Sequence, residues 1–306
     1  MGGILVIGSL NMDLVVTTPK VPVMGETILG SGFFTTPGGK GANQAVAAAR
    51  LGGQVSMIGC VGSDLFGRDH MGNLKVNNVN TDNIAIIDNC STGVAVIVIK
   101  DGDNFIIVDP GANSMLSPEM AGAFEKVIST SDIVILQLEI PLDTVEKVVE
   151  IARKHKVKIL LNPAPARKLS DHLLSMIDIL TPNESECEYI TGISINSIED
   201  AKKAAIDLLN RGVVQAVITL GGKGVVYNNG KEIIHKPVPD VKVVDTTAAG
   251  DSFSGALAVS LSRGDNIDDA IDFANMVGTL TVTKKGAQAS LPTLEDVMKF
   301  KSEGNL

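Results

Sequence analysis

The chain has 306 residues, 44% of them hydrophobic, a formal net charge of -9, 2 Tyr and no Trp. Such length and apolar content suit one large α/β core, whereas an acidic, aromatic-poor chain lacks the basic stripe and stacking platforms that nucleic-acid binding requires. Three widely spaced cysteines (Cys60, Cys90, Cys187) without C-x-x-C spacing, no basic segment ahead of the apolar run Ile4 to Ile7, and no apolar stretch near the roughly 20 residues of a membrane span together predict a cytoplasmic protein with reduced thiols and neither membrane nor nucleic-acid partners.

Short β-branched runs at Ile4 to Ile7, Val55 to Gly59, Ile133 to Leu138, Val157 to Leu161, Ile177 to Leu180 and Ala216 to Leu220 read as strands buried on both faces. Between them, Gly41 to Leu51, Leu142 to Lys156, Ile198 to Arg211 and Phe253 to Arg263 read as helices, the crossovers that parallel strands require. Ser197 with Asp200 and Thr293 with Asp296 carry helix-start signals. The expected fold is α/β: a doubly wound, mainly parallel sheet flanked by helices, in one domain over residues 1–306.

Residues 14–36 and 92–108 break this rhythm with strand-like runs lacking helices, and Val94 to Ile99 and Phe105 to Val108 flank the turn sequence Asp101-Gly102-Asp103-Asn104. They predict a small, discontinuous sheet set apart from the main one. Its neighbourhood in sequence to the richest polar motifs suggests a lid; pattern alone leaves a peripheral extension equally open.

The most informative stretch is Asp245-Thr246-Thr247-Ala248-Ala249-Gly250-Asp251-Ser252-Phe253, a small-residue turn entering an apolar helix. Unpaired amides and the positive end of the helix dipole favour an anion there, and Asp251 stands where a carboxylate could accept a proton from an attacking hydroxyl. Taken alone, Asp251 reads equally well as a first-turn acid favoured by the dipole.

The form Asp-Thr-x-Ala-Ala-Gly-Asp resembles a signature of the ribokinase family of sugar and nucleoside kinases. The resemblance implies that Asp251 is the catalytic base and that the amides of Ala248, Ala249 and Gly250 form an anion hole. Residue 248 is Ala where many members have Gly, a difference expected to matter little. Absence of G-x-x-x-x-G-K-[ST] excludes a P-loop enzyme, and Gly8-Ser9-Leu10-Asn11 does not supply the G-x-G-x-x-G of a dinucleotide-dependent oxidoreductase.

The same resemblance covers essentially the whole chain. Gly38-Gly39-Lys40-Gly41-Ala42-Asn43-Gln44-Ala45 is similar to the family's other signature, in a form closer to ribokinases than to fructokinases. It implies sugar contacts from Gly39, Lys40 and Asn43. Asn11 and Asp13, two apart on an extended segment and so facing one way, and Glu139 in Gln137-Leu138-Glu139-Ile140-Pro141 would bind the sugar as well. Their plain alternatives are an Asx turn and a strand-end acid. Asn183 and Glu186 match the family's Asn-x-x-Glu element, although Asn183 equally suits a helix cap.

That element implies contact of Asn183 with the nucleotide and of Glu186 with magnesium through water. Further ATP contacts are implied for Thr219, Leu220, Gly221, Gly222, Lys223, Gly224, Gly250 and Asn275, the last on an expected helix Asp268 to Thr283. A monovalent cation, potassium, is implied at Asp245, Thr247, Thr281, Lys284, Gly286 and Ser290. The expected activity is ATP-dependent phosphorylation of the 5-hydroxyl of D-ribose, by a homodimer formed through the lid. A sister kinase for 2-deoxyribose, adenosine or a hexose, and a non-catalytic sensor on the same fold, are the alternatives.

Overall fold

The computed structural model describes residues 3–101 and 103–303. Among the described residues thirteen strands run in chain order: β1 (Gly3–Ile7), β2 (Asn11–Thr17), β3 (Ser31–Gly38), β4 (Val55–Gly62), β5 (Val79–Ile87), β6 (Gly93–Lys100), β7 (Asp103–Asp109), β8 (Ser131–Leu136), β9 (Lys158–Leu161), β10 (Ile179–Leu180), β11 (Gln215–Thr219), β12 (Val225–Asn228) and β13 (Ile233–Lys236). Nine of them form the main sheet in the order β13-β12-β11-β10-β9-β8-β1-β4-β5. Its pairings from β5 across to β11 are parallel, while β12 and β13 close one edge as an antiparallel meander.

Successive residues of a strand point to opposite faces, and the apolar runs of β1 and β8 use both. Ile4, Val6, Ile133 and Ile135 join one core cluster. Leu5, Ile7, Val134 and Leu136 join the other. Truncating any such buried residue to Ala costs about 2–5 kcal/mol.

Several expected boundaries shift. The strand foreseen from Ile177 contracts to Ile179–Leu180, because the Ile177 amide closes the preceding helical turn on Leu174. The helix foreseen from Phe253 begins at Ala249 and ends at Ser262, so Asp251 lies inside its first turn. The helix foreseen over Asp268 to Thr283 spans Ile267–Thr281. Thr293 and Asp296 make a reciprocal capping box, and Ser197 accepts the Asp200 amide at 3.1 Å.

The smaller sheet has the order β3-β2-β6-β7. Pairings β2–β3 and β6–β7 are antiparallel, and the central pairing of β2 with β6 is parallel, which joins the two segments into one sheet. Asp103 and Asn104, read from sequence as turn residues, begin β7 and pair with Lys100 and Ile99; Gly102 lies outside the described residues. Among the described residues no helix is long and apolar enough to cross a membrane, and Cys60, Cys90 and Cys187 are free.

Candidate active site

The parallel strands end on a common edge, and their carboxyl ends carry the polar residues, as open α/β sheets favour. Strand β1 passes through Gly8-Ser9-Leu10 into β2, which opens on Asn11. Strand β3 ends at Gly38, and Gly39 turns the chain into helix Lys40–Arg50 with φ 84°. A side chain at Gly39 would be strained at that φ and would bring its Cβ to 2.6 Å from the Asn11 amide nitrogen.

Glu139, just beyond β8, knits these turns together. Its Oε2 accepts from Ser9 Oγ at 2.5 Å, from the Lys40 amide at 3.0 Å and, at the limit of 3.5 Å, from Asn11 Nδ2. The carboxyl of Asp13 lies against Gly38, where a Cβ would sit 2.4 Å from Asp13 Oδ2. Asn11, Asp13 and Asn43 are all buried.

Charge accumulates around them. Burial, then the nearby Glu139 and Asp251 carboxylates, push Asp13 up to about 7, against the pull of Lys40. Burial also works against the Lys40 ammonium, but Asp251, Glu139, Glu186 and Asp13 outweigh it and hold Lys40 above its ordinary value. Glu186 is lifted chiefly by burial, opposed by the Asn183 amide and Lys40.

On the other side, Ala248 caps helix Ala249–Ser262 in the left-handed conformation, φ 61° and ψ 11°. A glycine would adopt this without a Cβ penalty, so Ala at this position carries a backbone cost. The Ala249 amide turns back to the Thr246 carbonyl at 3.3 Å, while the amides of Gly250 and Asp251 start the helix, where no intrahelical acceptor is available.

Asp251 is buried, and its carboxylate accepts from Asn43 Nδ2 at 2.9 Å on Oδ2 and from Gln44 Nε2 at 3.0 Å on Oδ1. Asp251 and Lys40 line one cleft of about 180 Å³ together with Asn162, Glu186, Ala248 and Gly250. A larger cavity of about 670 Å³ adjoins it, sharing Asn183, Thr219, Thr246, Ala249 and Gly250. Val238, Pro239, Val241, Val243, Phe253 and Val282 give it apolar walls. The arrangement can hold a polar ligand at one end, an extended one with an apolar group at the other, and a carboxylate between them.

The expected nucleotide residues fall around the larger cavity in different ways. Gly221, Gly222, Gly224 and Asn275 line it, and Asn275 Nδ2 is buried without a hydrogen-bond partner among the described residues. The Leu220 side chain is packed in the core, and Lys223 turns to Glu184 at 3.4 Å. Asn183 and Glu186 form a reciprocal capping box at the start of helix Glu184–Thr191, with Asn183 Oδ1 accepting the Glu186 amide at 2.8 Å and Glu186 Oε2 accepting the Asn183 amide at 2.9 Å. The capping alternative is therefore realised, while both residues still line the cleft.

The positions implied for a monovalent cation fall on two adjoining loops and, for Thr281, on the last residue of the helix Ile267–Thr281 that leads into the second loop. Asp245 Oδ1 accepts from the Thr247 amide at 2.9 Å and its hydroxyl at 2.6 Å, and Oδ2 accepts the Gly286 amide at 2.8 Å. This fixes the loops to each other and pulls Asp245 below the usual carboxylate range, although burial works the other way. The Thr281 hydroxyl lies 2.9 Å from Ser252 Oγ, Ser290 Oγ donates to the Ala287 carbonyl at 2.8 Å, and the Lys284 ammonium is 4.0 Å from Asp296. With the side chains so engaged, backbone carbonyls are what the loops have to offer an ion.

Several contributors were not foreseen from sequence: Ser9, Gln44, His70, Asn113, Asn162 and Thr246. Gln44 stood inside the glycine-rich motif, and Asn162 followed a correctly placed strand. Nothing local marked His70 or Asn113, whose partners on Leu10 and Asn11 lie 59–103 residues away.

Comparison with known proteins gives this geometry a family. The chain is 44% identical to a ribokinase of Haemophilus influenzae over 96% of its own length and 97% of that protein's. It is 43% identical to a ribokinase of Bacillus subtilis, covering 99% and 100% of the two chains. A solved structure of Arabidopsis thaliana ribokinase complexed with ribose and ATP superimposes with a TM-score of 0.92 at 34% identity, covering 97% of this chain and 98% of that one. Residues 1–294 match the model of the pfkB family carbohydrate kinases, and with these relatives the chain belongs to that family.

Proposed function

We propose that this protein transfers the γ-phosphoryl group of ATP to the 5-hydroxyl of D-ribose, giving ribose 5-phosphate and ADP. The carrying observation is the placement of Asp251: a buried carboxylate at a helix start, held at 2.9 Å by Asn43 of the glycine-rich helix, in the cleft that opens into the larger cavity. The 43–44% identity to ribokinases of two bacteria supports ribose as the acceptor.

In this reading the sugar lies among Asn11, Asp13, Gly39, Lys40, Asn43 and Glu139, with its terminal hydroxyl toward Asp251. Asp251 takes the proton as the hydroxyl oxygen attacks phosphorus and the bond to ADP breaks. The Gly250 and Asp251 amides, the helix dipole and the Lys40 ammonium hold charge growing on the transferred group. The apolar walls of the larger cavity receive the nucleotide base, with Asn275 as a polar contact.

Among the described residues no group of three or more His, Cys, Asp or Glu side chains could grip a metal unaided. That suits magnesium carried chiefly by nucleotide phosphates, with Glu186 reaching it through water; when bound it neutralises phosphate charge. The carbonyls of loops 244–247 and 281–290 suit potassium. The small sheet acts as the lid. Its outer strand β7 is exposed along its whole length, and Phe33, Phe34 and Ile107 are uncovered. Phe33 and Phe34 lie on the β3 edge and Ile107 on the β7 edge, and these two apolar edges favour a homodimer through the lid; three free thiols suit the cytoplasm.

The test is ADP release with magnesium ATP across ribose, 2-deoxyribose, fructose and adenosine, with and without potassium. Ribose should give the highest kcat/KM; preference for another acceptor would replace the substrate assignment, and no ADP release with any would reject the kinase.

A further inference from the structure

We infer that Gln44 is a positioning residue for the catalytic base: its side-chain amide fixes the Asp251 carboxylate through a buried chain of amides. The inference rests on the reading of Asp251 as the base.

Gln44 is fully buried on helix Lys40–Arg50, next to Asn43. Its orientation is decided by its neighbours. Asn162 Nδ2 donates to the Thr181 carbonyl at 3.0 Å, which leaves Asn162 Oδ1 to face Gln44 as an acceptor. Asp251 Oδ1 is a second acceptor. Gln44 Nε2 meets both, at 3.2 and 3.0 Å, and so uses its two hydrogens. On the other side, Gln44 Oε1 accepts from Gln137 Nε2 at 2.6 Å. A flipped Gln44 would put an oxygen against two oxygens and a nitrogen against a nitrogen.

Asp251 is thus gripped on both oxygens, by Gln44 on Oδ1 and Asn43 on Oδ2. Among the described residues no Lys, Arg or His nitrogen comes within 4.0 Å of its oxygens, although the Lys40 ammonium across the cleft feels its charge. Neutral donors fix a carboxylate without neutralising it, so it can still take a proton. Each oxygen accepts more than one hydrogen bond, which leaves capacity for the substrate hydroxyl. Asn43 also belongs to the proposed sugar wall, whereas Gln44 is sealed from the surface. Its work on Asp251 is therefore orientation, and it should act on turnover more than on sugar affinity.

The experiment compares Gln44→Met, Gln137→Met and Asp251→Ala, and adds Gln44→Met in the Asp251→Ala background, all as full-length chains. Gln44→Met keeps length but removes the donor; kcat should fall about 10- to 100-fold, with ribose KM changed less than about threefold. Gln137→Met leaves the Asp251 contact in place but leaves Gln44 Oε1 unpaired and loosens that end of the side chain, and should cost about 3- to 10-fold in kcat. In the Asp251→Ala background Gln44→Met should alter the residual rate by less than about twofold, because the group it orients is gone.

Equal losses in both backgrounds would overturn the positioning role. So would Gln44→Met and Gln137→Met proteins that fold and keep kcat within about twofold while Asp251→Ala does not. Should Gln44→Met not fold, Gln137→Met decides alone by the same criterion. Full turnover by Asp251→Ala would instead remove the base assignment beneath the inference.

Discussion

Asn113 donates its side-chain amide to Asn11 Oδ1 at 2.7 Å, while its own Oδ1 accepts the Leu10 amide at 2.9 Å. The same nitrogen lies 3.1 Å from the Leu10 carbonyl, and His70 Nε2 lies 2.9 Å from the Asn11 carbonyl. Burial lowers the His70 pKa, which keeps the ring neutral and makes Nε2–H the donor. Asn11 is thereby held on backbone and side chain, with Nδ2 left to face Glu139 on the side proposed for the sugar.

Replacing Asn113 with Ala should therefore act on binding. The buried Leu10 amide and carbonyl lose their partner, at about 1–3 kcal/mol per unsatisfied group, and Asn11 is free to rotate. We expect a stability loss of roughly 2–4 kcal/mol in urea denaturation and a rise in ribose KM of about tenfold, larger than the change in kcat. An unchanged KM would show that Asn11 needs no such support.

Asp251→Ala should lower kcat by about 10²- to 10⁴-fold, the range for a general base, with ribose affinity by calorimetry little changed. Retention of full turnover would reject the proton-transfer role.

Asp13 supplies a pH dependence. Its pKa is about 7 in the folded protein and about 3.9 in an unfolded chain. The folded state binds more protons between these values, so the contribution of Asp13 to stability falls as pH rises from about 4 to 7. Asp13→Asn removes that slope. Relative to the parent, the variant should gain stability across this window and level off above it, by roughly 1–3 kcal/mol at pH 8. A difference that does not vary with pH in chemical denaturation would contradict the raised pKa.

Ala248→Gly should raise stability by about 0.5–1 kcal/mol, since the left-handed conformation at φ 61° costs Ala more than Gly. Calorimetry should show a melting temperature about 1–3 °C higher; a decrease would mean that the added backbone entropy of Gly in the unfolded chain dominates.

Much of the main sheet was legible because strands buried on both faces read as unbroken apolar runs. Strand β5 was not: as an edge strand it alternates exposed Asn80 and Asp82 with buried Val79 and Thr81. Helix Leu65–Val76 also went unread, since Gly67, His70 and Leu74 are its buried positions and leave little apolar periodicity. Asp251 and Asn43 were marked by motifs, because glycines and small residues crowd where backbone must approach a ligand, whereas Glu139, in Gln137-Leu138-Glu139-Ile140-Pro141, was marked only by the family resemblance. The supports were silent, since Asn113 and His70 act mainly on distant backbone groups. The parallel pairing of β2 with β6 depends on segments far apart in the chain, which local pattern does not record.

The bonds from Asn43 and Gln44 to Asp251 span 208 and 207 residues. During synthesis the sugar-side wall leaves the ribosome long before helix Ala249–Ser262 exists. A nascent chain stalled ahead of that helix lacks the carboxylate that Asn43 and Gln44 hold and the amides at the helix start. The cleft that Asp251 shares with Lys40 is therefore completed only after Asp251 has been made.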